Sequence, residues 1–221
     1  MNFRTYHDFS LEIVPLADAD GSALLNIMKI AKIVSSNSHI DYIGRVIDEL
    51  DTNEPPDAGD YGFAEFVSLP LGSEEVVGVI YDSRLVNPEY ASYGPRLSPT
   101  PSNFTPDFIG EQGILIGILL LGSLDESGKI SHGVPRRIVP PGQEVSNMNA
   151  DAVKKFHIDG NGATQLHYYS QIVAHAGNFA VPLLESIIDK LLPGCSDSDR
   201  LRLGLLKQTL TWQRTMGGMR L

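Results

Sequence analysis

Ten consecutive residues, Gly113-Ile114-Leu115-Ile116-Gly117-Ile118-Leu119-Leu120-Leu121-Gly122, are apolar on both parities and bracketed by glycine. A strand with one wet face alternates apolar and polar residues, so a strand of this kind must be covered on both faces. Gly117 at its centre marks a bend or a close backbone approach, as at a barrel corner. The run is far short of the roughly 20 residues that a membrane-spanning helix needs. Any fold for this chain has to wrap further layers around this one segment.

Residues 40–47, 61–69, 75–81 and 134–139 supply the material for those layers, being short, apolar or alternating, and bounded by Gly, Pro, Asn or Asp. That is the pattern of several short strands. Within 61–69 the alternation is broken by Glu65. Two long stretches between the strands read as loops: residues 48–60, with six acids and no base, and residues 87–107, with five prolines. Loops of that length in a compact domain serve as binding surfaces or stay solvated. Residues 22–34 space their apolar side chains at near-helical intervals and read as a helix.

The pattern changes near residue 147, and so does the charge. Residues 1–150 hold 21 acids and 9 bases, whereas 151–221 hold 6 acids and 8 bases, within a chain of net charge -10. Asn149 caps a short helix through Val153 and Phe156, which Gly160-Asn161-Gly162 ends. A second helix from about Ala163 presents Leu166, Tyr169, Ile172 and Val173. Pro182 suits the first turn of a third, which runs to Pro193-Gly194. Ser196 to Asp199 provide cap candidates for a last helix carrying Leu201, Leu205, Leu206, Leu210 and Trp212. The expected fold class is α+β, mainly β in its first half: a small closed or partly open β-barrel at 38–147, a helical subdomain at 148–221, and an N-terminal extension at 1–37.

Composition bounds the remaining possibilities. With 42% hydrophobic and 20% charged residues the chain does not have the makeup of a disordered protein. Its single cysteine, Cys195, permits no internal disulfide, and the first residues lack a secretory pattern, so a cytoplasmic location is expected.

The order of strands resembles the HAS barrel of HerA-type translocases and ATP synthase subunits. The residues that carry the likeness are Ile43-Gly44-Arg45-Val46-Ile47, Val76-Val77-Gly78-Val79-Ile80-Tyr81, the 113–122 run, and Pro135-Arg136-Arg137-Ile138-Val139-Pro140-Pro141-Gly142-Gln143-Glu144-Val145. The likeness spans residues 38–147, about half of the chain. It implies ring assembly and partnership with a HerA-type ATPase or nuclease in DNA end processing. The ATPase core that follows the barrel in that family is missing from this sequence. The nearest approach to a phosphate loop, Gly122-Ser-Leu-Asp-Glu-Ser-Gly128-Lys129-Ile130, has five residues between its glycines and Ile where a hydroxyl is required, so it reads as a turn. ATP hydrolysis is not implied, and no cofactor is expected.

Candidate chemistry is sparse. His167 and His175 share a face of the expected second helix, and His157 and Asp159 lie just upstream, a set that would bind a divalent metal if the segments converged. A spacing of eight residues is too long for one ion on a straight helix, so surface or interface histidines are the preferred reading. Cys195 precedes a helix, where the dipole favours a thiolate, but no histidine is nearby in sequence. Arg96, Arg136 and Arg137 would make a guanidinium cluster for an anionic partner, against the simpler reading of pairing with this acidic half.

The leading expectation is a non-enzymatic interaction or assembly module with a protein partner, self-association being open. It would dock through barrel edges and the 87–107 loop. One alternative is a metal-dependent enzyme with its site between barrel and helices. Another is a nucleic-acid accessory factor using Lys154, Lys155, Arg200, Arg202, Lys207 and Arg214, although an acidic chain without a basic run is poorly suited to phosphate backbones.

Overall fold

The computed structural model describes residues 28–86 and 113–217. Among these residues seven strands come first: β1 (Lys29–Ser36), β2 (Asp41–Val46), β3 (Phe66–Leu71), β4 (Glu74–Val86), β5 (Gly113–Leu124), β6 (Ile130–His132) and β7 (Glu144–Asn147). Four α-helices follow: α1 (Ala150–His157), α2 (Tyr169–His175), α3 (Ala180–Leu191) and α4 (Asp197–Gly217). The architecture is α+β, a barrel and then helices. Among the described residues no helix is long and apolar enough to cross a membrane.

Six strands close into an antiparallel barrel in the order β1-β2-β5-β4-β3-β7, with β7 pairing back onto β1. β5, the doubly apolar run, holds this arrangement together. One of its edges pairs with β4 from Gly113 to Leu124. The other pairs with β2 through Leu115 to Leu119 and then with β6 through Gly122 to Leu124. Ile116, Ile118, Leu119, Leu120 and Leu121 are all fully buried, as a strand covered on both sides requires. At Gly117 a Cβ would stand 3.1 Å from Tyr81 Cε1, so the glycine makes room for the tyrosine ring on β4.

Three expectations need correction. Residues 29–34 belong to strand β1 rather than to a helix, and residues 22–27 of that proposed helix lie outside the described part. Ile30 and Ile33 are both buried although three residues apart, because β1 changes register against β7 between Lys29 and Ala31; a second shift, against β2, follows between Ile33 and Ser35. Each bulge shifts the parity of the strand, so its apolar spacing imitates a helical period. Residues 134–139 are not a strand. Pro135, Pro140 and Pro141 remove backbone donors there, Val134 and Ile138 are exposed, and the barrel closes with β7 instead. Finally, β3 starts at Phe66, with turns at residues 58–61 and 63–64 before it, which is why Glu65 interrupts the alternation.

The helices lie on the barrel and share one apolar core with it. Phe156, Tyr168, Ile172, Leu184 and Ile187 are buried in the same cluster as Phe66, Val79 and Leu120. The change of pattern near 147 thus marks the end of the last strand while the core continues across it. Asn149 caps α1 as expected, its side chain accepting from the Ala152 amide at 2.8 Å. α2 begins only at Tyr169, because residues 158–164 fold back as a loop bridged between Ile158 and Thr164. Pro182 sits in the first turn of α3, and Ser196 Oγ accepts from the Asp199 amide at the start of α4.

Candidate functional site

Where the helices meet the barrel, a cleft of about 450 Å³ opens between Glu65 and Phe66 on one side and Val153, Lys154, Leu191 and Gly194 on the other. A Glu65–Lys190 ion pair at 2.6 Å crosses from the barrel to α3 within it. His157, the last residue of α1, also lines the cleft but is only 1% exposed. Its Nδ1 lies 2.6 Å from the Val153 carbonyl, which can only accept, so Nδ1 carries the proton. Nε2 therefore accepts from the Tyr168 hydroxyl at 2.5 Å. Both nitrogens are engaged. Burial pushes the imidazole down to about 4, with His132 adding to the effect and the Val153 bond opposing it. Near neutral pH this is a neutral structural histidine, offering no lone pair to a metal and no base to a substrate.

Behind His157 lies a second imidazole, which no motif or spacing in the sequence marks. His132 on β6 packs with its ring tilted against Phe156 and Tyr168, at 4.5 and 5.2 Å between ring centroids, and its Nε2 donates to the Phe156 carbonyl at 2.8 Å. Its Nδ1 is buried with no hydrogen-bond partner among the described residues. Burial lowers its pKa, and His167 adds to that. β6 reaches this position because residue 122 is glycine: a Cβ there would lie 2.2 Å from the Ser131 carbonyl oxygen. The only advance signal was that glycine, since a lone histidine in a three-residue strand has no pattern.

The proposed metal set does not assemble. His167 precedes α2 instead of lying on it, and its ring turns toward His132 at 5.8 Å. His175 is exposed at the other end of α2. Asp159 accepts from the Asn161 and Ala163 amides at 2.9 and 2.8 Å, bonds that hold its carboxyl below the usual range and close the loop after α1. Among the described residues no three His, Cys, Asp or Glu side chains stand where they could hold a metal ion. The half-buried Cys195 donates from Sγ to the Leu192 carbonyl at 3.2 Å.

The arginine cluster also comes apart. Arg137 donates to the Leu71 carbonyl at 2.9 Å and pairs with Glu74 at 3.3 Å, which fastens it to the β3–β4 turn. Arg136 is exposed, whereas Arg96, with the whole 87–107 loop, lies outside the described residues. The basic residues proposed for nucleic acid are largely engaged: Arg200 with Asp197, Arg202 with Asp199, Lys207 with Asp189 and Arg214 with Glu185.

The strongest unexplained feature is α4. Leu203 and Leu210 are buried, Leu206 is half-buried, and Lys207 and Arg214 bind acids of α3, so one side of the helix is fully used. Leu201, Leu205 and Trp212 are nevertheless 73%, 65% and 60% exposed. At 100° per residue they fall within about 40° of one another, on the side opposite Leu203. A shallow groove runs beside them, lined by Gly204, Lys207, Gln208, Thr211, Trp212 and Thr215. Gly204 is mid-helix, where glycine costs about 1 kcal/mol relative to alanine. Among the described residues a Cβ there would meet nothing within 4 Å.

The fold and surface together define an α+β barrel domain with helices packed on it and an apolar helix face turned to solvent. The chain belongs to the family described as a domain of unknown function, DUF8166, which it matches over residues 16–220. A search of curated proteins found no match.

Proposed function

We propose that this chain is a non-enzymatic protein-interaction or assembly module whose contact surface includes the outer face of α4. The observation that carries this reading is the second apolar stripe of Leu201, Leu205 and Trp212 on a helix whose other side is already packed. A helix apolar on two sides is at home between two layers, and the chain supplies one of them. Closure of the barrel supports the same choice of surface, because a closed ring offers no free strand edges within it. The HAS-barrel likeness makes a HerA-type ATPase or nuclease the partner class to test first.

The test is affinity capture of the tagged chain and its Leu205→Glu variant from native extract, quantified by mass spectrometry. An ATPase or nuclease retained by the wild type and lost by the variant is the expected result. A wild-type chain that stays monomeric and retains nothing would overturn the reading.

A further inference from the structure

The geometry points to the cleft between α1, α3 and the barrel as a binding site for a small zwitterion with an apolar side chain, of which an α-amino acid is the simplest kind. This site is separate from the outer face of α4 and does not depend on any contact made there.

The cleft holds about 450 Å³, within the range of roughly 300–1,000 Å³ typical of small-molecule sites. Phe66, Met148, Val153 and Leu191 give it apolar walls, against which a side chain the size of leucine or phenylalanine is at home. His157 offers such a ligand nothing, since both of its ring nitrogens are already bonded.

Four charged side chains line the cleft: Glu65, Asp151, Lys154 and Lys190. Glu65 and Lys190 bind each other at 2.6 Å, so they fasten the barrel to α3 and leave little charge for a ligand. Asp151 and Lys154 differ. Both are exposed on α1, three residues apart, a spacing at which opposite charges on a helix can meet. No ion pair joins them, and neither has another ionic partner among the described residues. Lys154 instead lays its stem over Gly194, where a Cβ would stand 3.4 Å from Lys154 Cδ and 3.8 Å from its Nζ. Glycine at 194 thus lets the ammonium lie along the cleft wall, apart from Asp151.

The cleft therefore presents one unpaired ammonium and one unpaired carboxylate beside an apolar interior. A monoanion would gain Lys154 but face Asp151, and a monocation would gain Asp151 but face Lys154. A zwitterion matches both. Its carboxylate goes to Lys154, its ammonium to Asp151 and its side chain to the apolar walls. Having no net charge, it is also neither drawn nor repelled by a chain of net charge -10.

Nuclear magnetic resonance titration of the full chain with L-phenylalanine, 3-phenylpropionate and phenethylamine tests the inference, because the three share a ring and differ in charge. L-Phenylalanine should bind with a Kd on the order of 1 mM, with shifts centred on Val153, Ile158 and Leu191. It should bind about fivefold more tightly than either analogue. Lys154→Met should bring L-phenylalanine to the level of phenethylamine without weakening phenethylamine itself. Asp151→Asn should do the same relative to 3-phenylpropionate. Ala150→Trp, a bulky side chain on the exposed rim of the cleft, should abolish all three, with circular dichroism unchanged. Equal affinity for the three probes, or a preference for either analogue, would overturn the zwitterion. Shifts centred elsewhere, binding that survives Ala150→Trp, or no shifts with any probe at tens of millimolar would overturn the site.

Discussion

Tyr168 donates its hydroxyl to His157 Nε2 at 2.5 Å inside the junction between helices and barrel, and both side chains are essentially out of contact with water. The bond joins the end of α1 to the residue just before α2, with Phe66 of β3 edge-on to the imidazole at 5.2 Å between centroids. Tyr168→Phe keeps the ring and leaves Nε2 buried with no donor, which costs about 1–3 kcal/mol. Urea unfolding of the two proteins measures it. An unchanged midpoint would show that the pair does not secure the junction.

Acid should loosen the same junction as the unfolded chain's imidazole takes up its proton. Unfolded, His157 has a pKa near 6.5; folded, burial holds it at about 4. Above 6.5 it is neutral in both states and its burial carries no ionisation cost. As pH falls from 6.5 toward 4, only the unfolded chain takes up the proton, so stability is lost across that window, about 3 kcal/mol in all. His132 shifts in the same direction and adds to the loss. Asp125, Asp159 and Asp199 are held below 3.8, mainly by hydrogen bonds, and titrate beneath it. Stability measured by urea at successive pH values should fall through this range, and His157→Gln should remove about one proton from the slope. A wild-type stability that is flat between these limits would contradict the buried neutral imidazole.

Gly122→Ala should be among the most damaging single-methyl changes in the barrel. Its Cβ would press on the Ser131 carbonyl oxygen and on His132 Cα at 3.0 Å, both backbone atoms that cannot swing aside. β6 would have to leave β5, taking with it the bond from His132 to Phe156. Overpacking of this kind costs about 1–3 kcal/mol. Amide exchange at residues 130–132 should rise together with the fall in melting temperature. Exchange confined to its wild-type rate would show that β6 tolerates the methyl.

What could be read from the sequence follows how local its cause was. β2 and β5 were legible because each apolar run stops at a glycine or a polar residue, whereas β4 was legible only to Tyr81, since its far end is polar at Asp82, Ser83 and Arg84 and largely exposed, yet still pairs with β5. β1 was not, since its bulges arise from its neighbours and convert a period of two into one of three. Prolines at 135, 140 and 141 are visible, but their veto on a strand is outweighed by Val134, Ile138 and Val139 beside them. His167 went astray for a different reason: Tyr168 is buried, so the chain turns inward there before α2 begins. On α4 the leucines were plain but their division was not. Leu203 was passed over beside Leu201 and Leu205, although it points inward and they point outward.

Gly204→Ala separates what α4 needs for folding from what it needs for contact. Among the described residues the added methyl meets no atom within 4 Å, and alanine is the better helix former by about 1 kcal/mol. Urea unfolding at concentrations where the chain is monomeric should therefore show a gain of up to about 1 kcal/mol. On the outer face the same methyl fills the gap beside Leu201 and Leu205, so capture of a partner through this face should weaken while the chain itself becomes more stable. A single substitution moving the two quantities in opposite directions cannot be explained by damage to the fold. A loss of monomer stability would mean instead that residue 204 is packed from within the chain.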